Sequence, residues 1–422
     1  MNFRREDVAR PIDFWKWSLL VFLAARCGDV VQSVVGLWLM PSYLPVADIG
    51  AMLPITDGAA FLALPVSIVV VTFARGLAIY SVRDEFGRVK TLLHWMFACA
   101  GVAVGLMCTV ALAFSPKFYS FVKVEERGIA GIVFAAGVLM ALAPVFDGSL
   151  QGLRKFGTLA LSGFLSAGFR FVVSLLIIPI RAFTGFLLGQ AVAGLVRIVV
   201  SVVGLRRVFG DDLAPLPISR AEGLSMLRFA GWIAASQGIW QTVTFAQALI
   251  VRNNLSALDS ATYFIAQRFG EVGQWVGLAL LCVAFPVVAA YSSDKVARLR
   301  VLSRTIYVTL AAGGATAVIY SFCGKRLLDA VSIWRNYADA SRLIVLFTLR
   351  SAMGCAVGAF MCCEQALGNF RYLSYLAPCV LAECVGLAFF HSLDAMLGWQ
   401  LLAVSVQVLL VLAVVHFRKG RL

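Results

Sequence analysis

Long apolar runs alternate with short polar breaks along this chain, twelve times over. The runs fall at about 16–41, 51–79, 91–114, 128–147, 158–180, 183–206, 225–250, 258–291, 301–323, 340–364, 371–391 and 396–417. A helix needs about 20 mostly apolar residues to cross the hydrocarbon core of a bilayer. Inside lipid each backbone amide must be satisfied within its own segment, so runs of this length are helices. Strands of a membrane barrel would show segments of about ten alternating residues, a pattern this chain does not carry. The spacing predicts an all-α, polytopic membrane protein with about 12 transmembrane helices. Segments two and eight are long and carry Pro65 and Pro286 inside them, so they are expected to tilt or break. Pro144, Pro179 and Pro378 mark other kinks or ends.

Composition agrees with the pattern. Of 422 residues 61% are hydrophobic and only 14% charged, against roughly 25% charged in a soluble domain. The net charge of +14 would suggest nucleic acid in a soluble protein. Here much of it flanks the apolar runs. With twelve spans both termini share one side. The ends and the loops near 83–90, 154–155, 206–220, 295–304 and 371 carry 20 of the 36 Lys and Arg. The opposite loops carry nine, and seven arginines fall within spans. That bias places both termini in the cytoplasm of a multi-pass inner-membrane protein. No motif for reading a nucleic-acid groove is present, so nucleic acid is not an expected partner. Arg4, Arg5 and Arg10 precede an apolar run too long for a signal peptide and without a small-residue cleavage site, so that run is read as the first span. The ten cysteines lack metal-ligand spacing and the three histidines are scattered; no metal or cofactor is expected beyond a coupling proton or sodium ion.

The chain also repeats itself. "LQGLRKFGTL" at 150–159 and "EQALGNFRYL" at 364–373 share Gln-x-Leu-x-x-Phe-x-x-Leu, 214 residues apart. "AIYS" at 78–81 and "AAYS" at 289–292 match at an offset of 211. The shared register predicts a duplication. Six spans per half is an even number, so the halves enter the membrane in the same direction, as a parallel repeat. The predicted units are an N-terminal lobe, 1–208, a cytoplasmic linker, 209–223, and a C-terminal lobe, 224–422. Chains built this way commonly bind substrate between lobes that rock against one another.

The stretch "FDGSLQGLRKFGTLALSGFLSAGFRF" at 146–171 is similar to the O-antigen and capsule flippases of the multidrug/oligosaccharidyl-lipid/polysaccharide (MOP) superfamily. "YLPVADIGAM" at 43–52 and "LSALDSATYFIAQRFGEV" at 255–272 resemble the family's approaches to spans two and eight. The resemblance implies two six-helix lobes around a central cavity. It also implies a lipid-linked oligosaccharide moved between leaflets, with membrane lipids and polysaccharide-assembly proteins as partners.

Charge inside the spans is read from the residues themselves. A lone Arg, Lys or Asp at a helix centre costs about 2.5–3.5 kcal/mol on insertion scales. Arg26, Asp29, Asp57, Arg170, Arg268, Glu271 and Arg350 lie near the middle of their spans. Seven such residues facing lipid would cost on the order of 20 kcal/mol, so they should face a cavity, water or one another. Arg26 with Asp29 and Arg268 with Glu271 are three apart, on one helix face. Either pair could simply neutralise itself. Alternatively, Arg26, Arg170, Arg268 and Arg350 bind a negative substrate, since guanidinium matches phosphate with paired donors. Asp29, Asp57 and Glu271 would then tune them or carry the coupling ion. Arg170 and Arg350 lack an acid within a helical turn. Arg75, Arg197 and Arg228 lie nearer the cytoplasmic ends, where they can snorkel, and Glu383 is ambiguous. An ion-coupled multidrug exporter of the same superfamily would instead need a cavity carboxylate, which Asp29 or Asp57 could supply; a structural membrane protein is the remaining alternative. No nucleotide-binding loop is present and no extracytoplasmic loop is large enough for a catalytic domain, which argues against an enzyme.

Overall fold

The computed structural model describes residues 46–122, 130–210, 214–290, 295–330, 337 and 340–419, with 20, 21, 24, 28, 30, 31 and 33–44 of the first segment. The described chain is helical throughout. The first half comprises α1 (Val34–Tyr43), which opens with a π-helical turn, α2 (Val46–Leu62), α3 (Leu64–Val82), α4 (Phe86–Val122), α5 (Ala130–Gly152), α6 (Phe156–Ile177) and α7 (Ala182–Gly210). The second comprises α8 (Arg220–Asn254), α9 (Ala257–Gly270), α10 (Trp275–Ala290), α11 (Lys295–Ala330), α12 (Ala340–Ala366), α13 (Leu373–Leu387) and α14 (Leu393–Lys419). Eight described helices are long and apolar enough to cross a membrane by themselves, and Val34–Tyr43, Met52–Leu62 and Leu373–Leu387 are shorter apolar helices; most of the first expected span, 16–41, lies outside the described residues.

The packing order of the helices runs in parallel in the two halves, α3–α7 beside α10–α14. α3 packs on α4 and α5, α4 on α5, α5 on α7, and α6 on α7; α10 packs on α11 and α12, α11 on α12, α12 on α14, and α13 on α14. The same neighbours recur in the same order.

Segments two and eight both break, and at matching places. In segment two the break is at Ala63, before Pro65 in the first turn of α3, where proline's missing N–H costs nothing. The offset of 211 carries Ala63 onto Gln274. In segment eight the break is the 3-10 turn Glu271–Gln274, not Pro286. Its cause is close packing. A Cβ on Gly270 would sit 2.4 Å from the Cβ of Phe347, and one on Gly273 would sit 2.5 Å from the carbonyl oxygen of Thr348. Only glycine lets the turn lie directly on α12.

The duplicated motif proves to be a turn. After α5 the N–H of Lys155 donates to the carbonyl of Leu150, and that of Arg154 to Gln151; after α12 Asn369 donates to Glu364, and Gly368 to Gln365. This is the six-to-one and five-to-two bonding of a Schellman helix end. The left-handed residue it demands is Arg154, φ 58°, in one half and Gly368, φ 71°, in the other. Phe156 and Phe370 are buried just beyond it.

Residues 214–219 run extended and are strapped to the start of α4. Leu216 donates its N–H to the carbonyl of Gly87, 3.1 Å, and accepts from the Thr91 hydroxyl, 2.8 Å. Ser219 then caps α8 through a complete capping box with Glu222, which also pairs with Arg88 at 3.0 Å.

Candidate functional site

The halves meet along α2 and α3 on one side and α8, α9 and α10 on the other. The two broken segments thus face each other across the interface, and the 211-residue offset carries Asp57 of α2 onto Arg268 of α9. Opposite charges occupy equivalent positions.

Around that point five ionisable residues gather. Both oxygens of Glu271 accept from one nitrogen of Arg268 at 2.9 Å, and the other terminal nitrogen of Arg268 reaches the Thr56 hydroxyl at 3.4 Å across the interface. The charges that act on Asp57 are those of Arg268, Glu271 and Arg350. Arg350, on α12, lies 3.6 Å from Glu383 of α13 and donates to the Gln247 side chain of α8 at 3.3 Å. Glu383 is buried and accepts from Gln247 at 3.0 Å and Gln407 at 3.1 Å. Tyr263 donates to Gln400 beside this network, 2.9 Å away. Three acids against two arginines leave the five-residue cluster with one net negative charge. The void lined by Thr56, Phe186, Phe264 and Arg268 has a volume of only about 10 Å³, about one water molecule.

The interface is bridged at both ends. On the face where α3, α5, α10, α12 and α14 terminate, Arg75 of α3 donates to the carbonyl of Ala366 at 2.9 Å and lies over the Phe229 ring, 4.6 Å from its centroid. On the same face Gln151 donates to the carbonyl of Cys282 at 2.6 Å. Towards the other end the Ser260 hydroxyl lies 3.4 Å from the carbonyl of Gly50.

Of the residues expected from sequence, Asp57, Arg268, Glu271 and Arg350 come together. Arg170 sits on α6 with its guanidinium over the Phe186 ring, 5.8 Å from its centroid, and Phe186 lines the void beside Arg268. Arg26 and Asp29 lie outside the described residues. Arg350, which lacks an acid within its own helical turn, pairs across helices with Glu383. One expectation changes. Arg75 and Arg197 are not simple interfacial anchors: Arg75 bridges the halves, and Arg197 pairs with Asp147 at 3.3 Å and donates to Ser166 at 3.2 Å. Arg228 is exposed, as anchoring requires. Sequence reading missed Gln247, Gln407 and Asp147; their one signal is a polar residue in an apolar run. Among the described residues no His, Cys, Asp and Glu group is arranged to hold a metal.

An all-helical membrane protein with charged, broken helices where its two halves meet is the architecture this chain defines. Solved structures share the fold. A point mutant of the Vibrio cholerae MATE transporter VcmN superposes with a TM-score of 0.76 at 11% identity, covering 99% of this chain and 98% of that one. An outward-facing multidrug resistance MATE family transporter of the MOP superfamily superposes at 0.72, with 14% identity and 98% of each chain covered. A MATE structure in the straight conformation gives 0.71, with 15% identity and 96% of each. No protein-family model matches the sequence, and no curated protein does. The chain has the MATE transporter fold.

Proposed function

We propose that this protein is a cation-coupled secondary transporter, not an enzyme, working by alternating access between its two halves. The observation that carries the reading is the cluster of Asp57, Arg268, Glu271, Arg350 and Glu383 at facing helix breaks. Charges this deep in a span are expensive and mark pathways. The excess negative charge suits one proton or sodium ion. The Lys and Arg bias supports an inner-membrane protein with both termini cytoplasmic.

The cargo we assign is a polyprenyl-pyrophosphate-linked oligosaccharide, on the sequence resemblance at 146–171. A diphosphate competes with Glu271 and Glu383 for the guanidinium groups of Arg268 and Arg350. Each carboxylate it displaces is left without its cation in a low-dielectric site, and neutrality then requires a coupling ion there. Anionic cargo and cation would bind together. The second reading, export of organic cations, is favoured by Glu383. Four arginines against three acids, the balance read from sequence, becomes four against four once Glu383 is counted. Two cargo assays in proteoliposomes decide between them. The flippase reading expects lipid-linked oligosaccharide transport lost in Arg350→Ala, with partial rescue by Lys. Transport of a cationic dye but no lipid-linked sugar would overturn that cargo in favour of the exporter.

A further inference from the structure

A second cavity lies wholly within the C-terminal half, away from the central cluster. Its volume is about 450 Å³, and it opens between α10, α11, the end of α12 and the end of α14. That volume is in the range of small-molecule sites. It shares no lining residue with the Asp57 cluster.

The chemistry of its wall is asymmetric. Glu364 is almost wholly buried, and its charge is committed: Arg418 donates to both its oxygens, at 2.5 and 3.1 Å, and Asn369 donates to it as well. Arg298 stands in the wall with no ion-pair or hydrogen-bond partner among the described residues, and its Nε is buried. A buried guanidinium N–H without an acceptor is costly. Arg298 also lies in the first turn of α11, a 36-residue helix beginning at Lys295, where the helix dipole favours an anion. Leu299 and Leu302 continue the wall along α11 as apolar surface. One uncompensated cation above an apolar wall, at the level where helices end, matches a singly charged phosphodiester with an acyl chain beneath it.

We propose that this cavity binds the headgroup of an anionic phospholipid, with Arg298 as the phosphate ligand, Glu364–Arg418 as the fixed floor and Leu299 and Leu302 against the first acyl carbons. The assignment is independent of the cargo. The test is native mass spectrometry and thermal unfolding of the full chain, titrated with phosphatidylglycerol, phosphatidylcholine or inorganic phosphate. Wild type should retain phosphatidylglycerol selectively and be stabilised by it. Arg298→Gln should bind it about tenfold more weakly or worse, as expected for one charge-assisted bond lost. Leu302→Trp, which fills the cavity, should do the same, and Arg206→Gln, an exposed arginine of the N-terminal half, should change nothing. If Arg298→Gln does not fold, Arg298→Lys decides, with intermediate binding expected. Wild-type retention of phosphatidylglycerol by a folded Arg298 variant would overturn the site. Equal stabilisation by inorganic phosphate would overturn the lipid assignment.

Discussion

The two halves share a backbone plan and differ in where they keep charge. Between α5 and α7 of the first half, Asp147 and Arg197 pair with 22% and 41% of their side-chain surfaces exposed. In the second half Glu383 meets Arg350 with 9% and 21% exposed, and two glutamine amides complete its shell. In the first half Arg197 is the exposed member, while one carboxylate oxygen of Asp147 is buried without a partner among the described residues. The second half holds its pair deep, where separating the partners is expensive. At the facing breaks both halves contribute charge, through Asp57 and Arg268.

This contrast can be broken directly. Removing one member of the buried pair, in Glu383→Leu, should destabilise the protein by about 3–5 kcal/mol, whereas Asp147→Asn, which keeps the side chain's shape and leaves the half-exposed Arg197 room to relax, should cost about 1 kcal/mol. Thermal unfolding in one detergent compares them, and equal losses would erase the distinction between the halves.

The repeated glutamines sharpen it. Gln365 is buried and donates to Ser236 and to the Tyr372 hydroxyl, both at 3.1 Å. Gln151 reaches across to one carbonyl of the other half. Gln365→Ala should therefore cost about 1–3 kcal/mol through stranded buried partners, and Gln151→Ala about 1 kcal/mol. Urea unfolding of both variants reads the order; the reverse order would contradict it.

At the paired Schellman turns the signs should oppose. Gly368→Ala forces a side chain into a left-handed position and should destabilise by about 1 kcal/mol, while Arg154→Gly relieves the same strain and should stabilise by a similar or smaller amount. The same unfolding experiment applies, and equal signs would mean that the turns are not equivalent.

The smallest effect lies at the strap. Hydrogen bonds from the Ser219 backbone and hydroxyl, in that order, hold the Glu222 carboxyl below its ordinary value of 4.5. A lowered value means stability present above the unfolded-state value and lost as pH falls through the folded one. The melting-temperature gap between wild type and Glu222→Gln should accordingly close as pH drops below about 4.5. A gap independent of pH would remove the carboxylate from this cap.

Much of the fold is legible in the sequence, for identifiable reasons. Segment lengths follow from bilayer thickness, so the helix order can be read off the apolar runs. The repeat announces the turn because a Schellman end constrains several positions at once. The Arg268–Glu271 pair is visible because three residues apart is one face of a helix. Arg350–Glu383 and Asp147–Arg197 are not, because each pair joins helices whose adjacency depends on tertiary packing. The break in segment eight lies away from Pro286 for a related reason: it is set by the contact of Gly270 and Gly273 with α12, which no local pattern encodes.

The account centres on the facing helix breaks as the coupling site, and Asp57→Asn tests that most directly. Wild type and variant would be reconstituted at equal density in liposomes, and transport of the lipid-linked oligosaccharide followed with and without an imposed proton or sodium gradient. The account predicts that a gradient of one of these ions accelerates wild-type transport. The variant should insert and fold normally yet gain nothing from either gradient. A variant that responds to the gradient as wild type does would contradict the claim that the ion couples at this cluster.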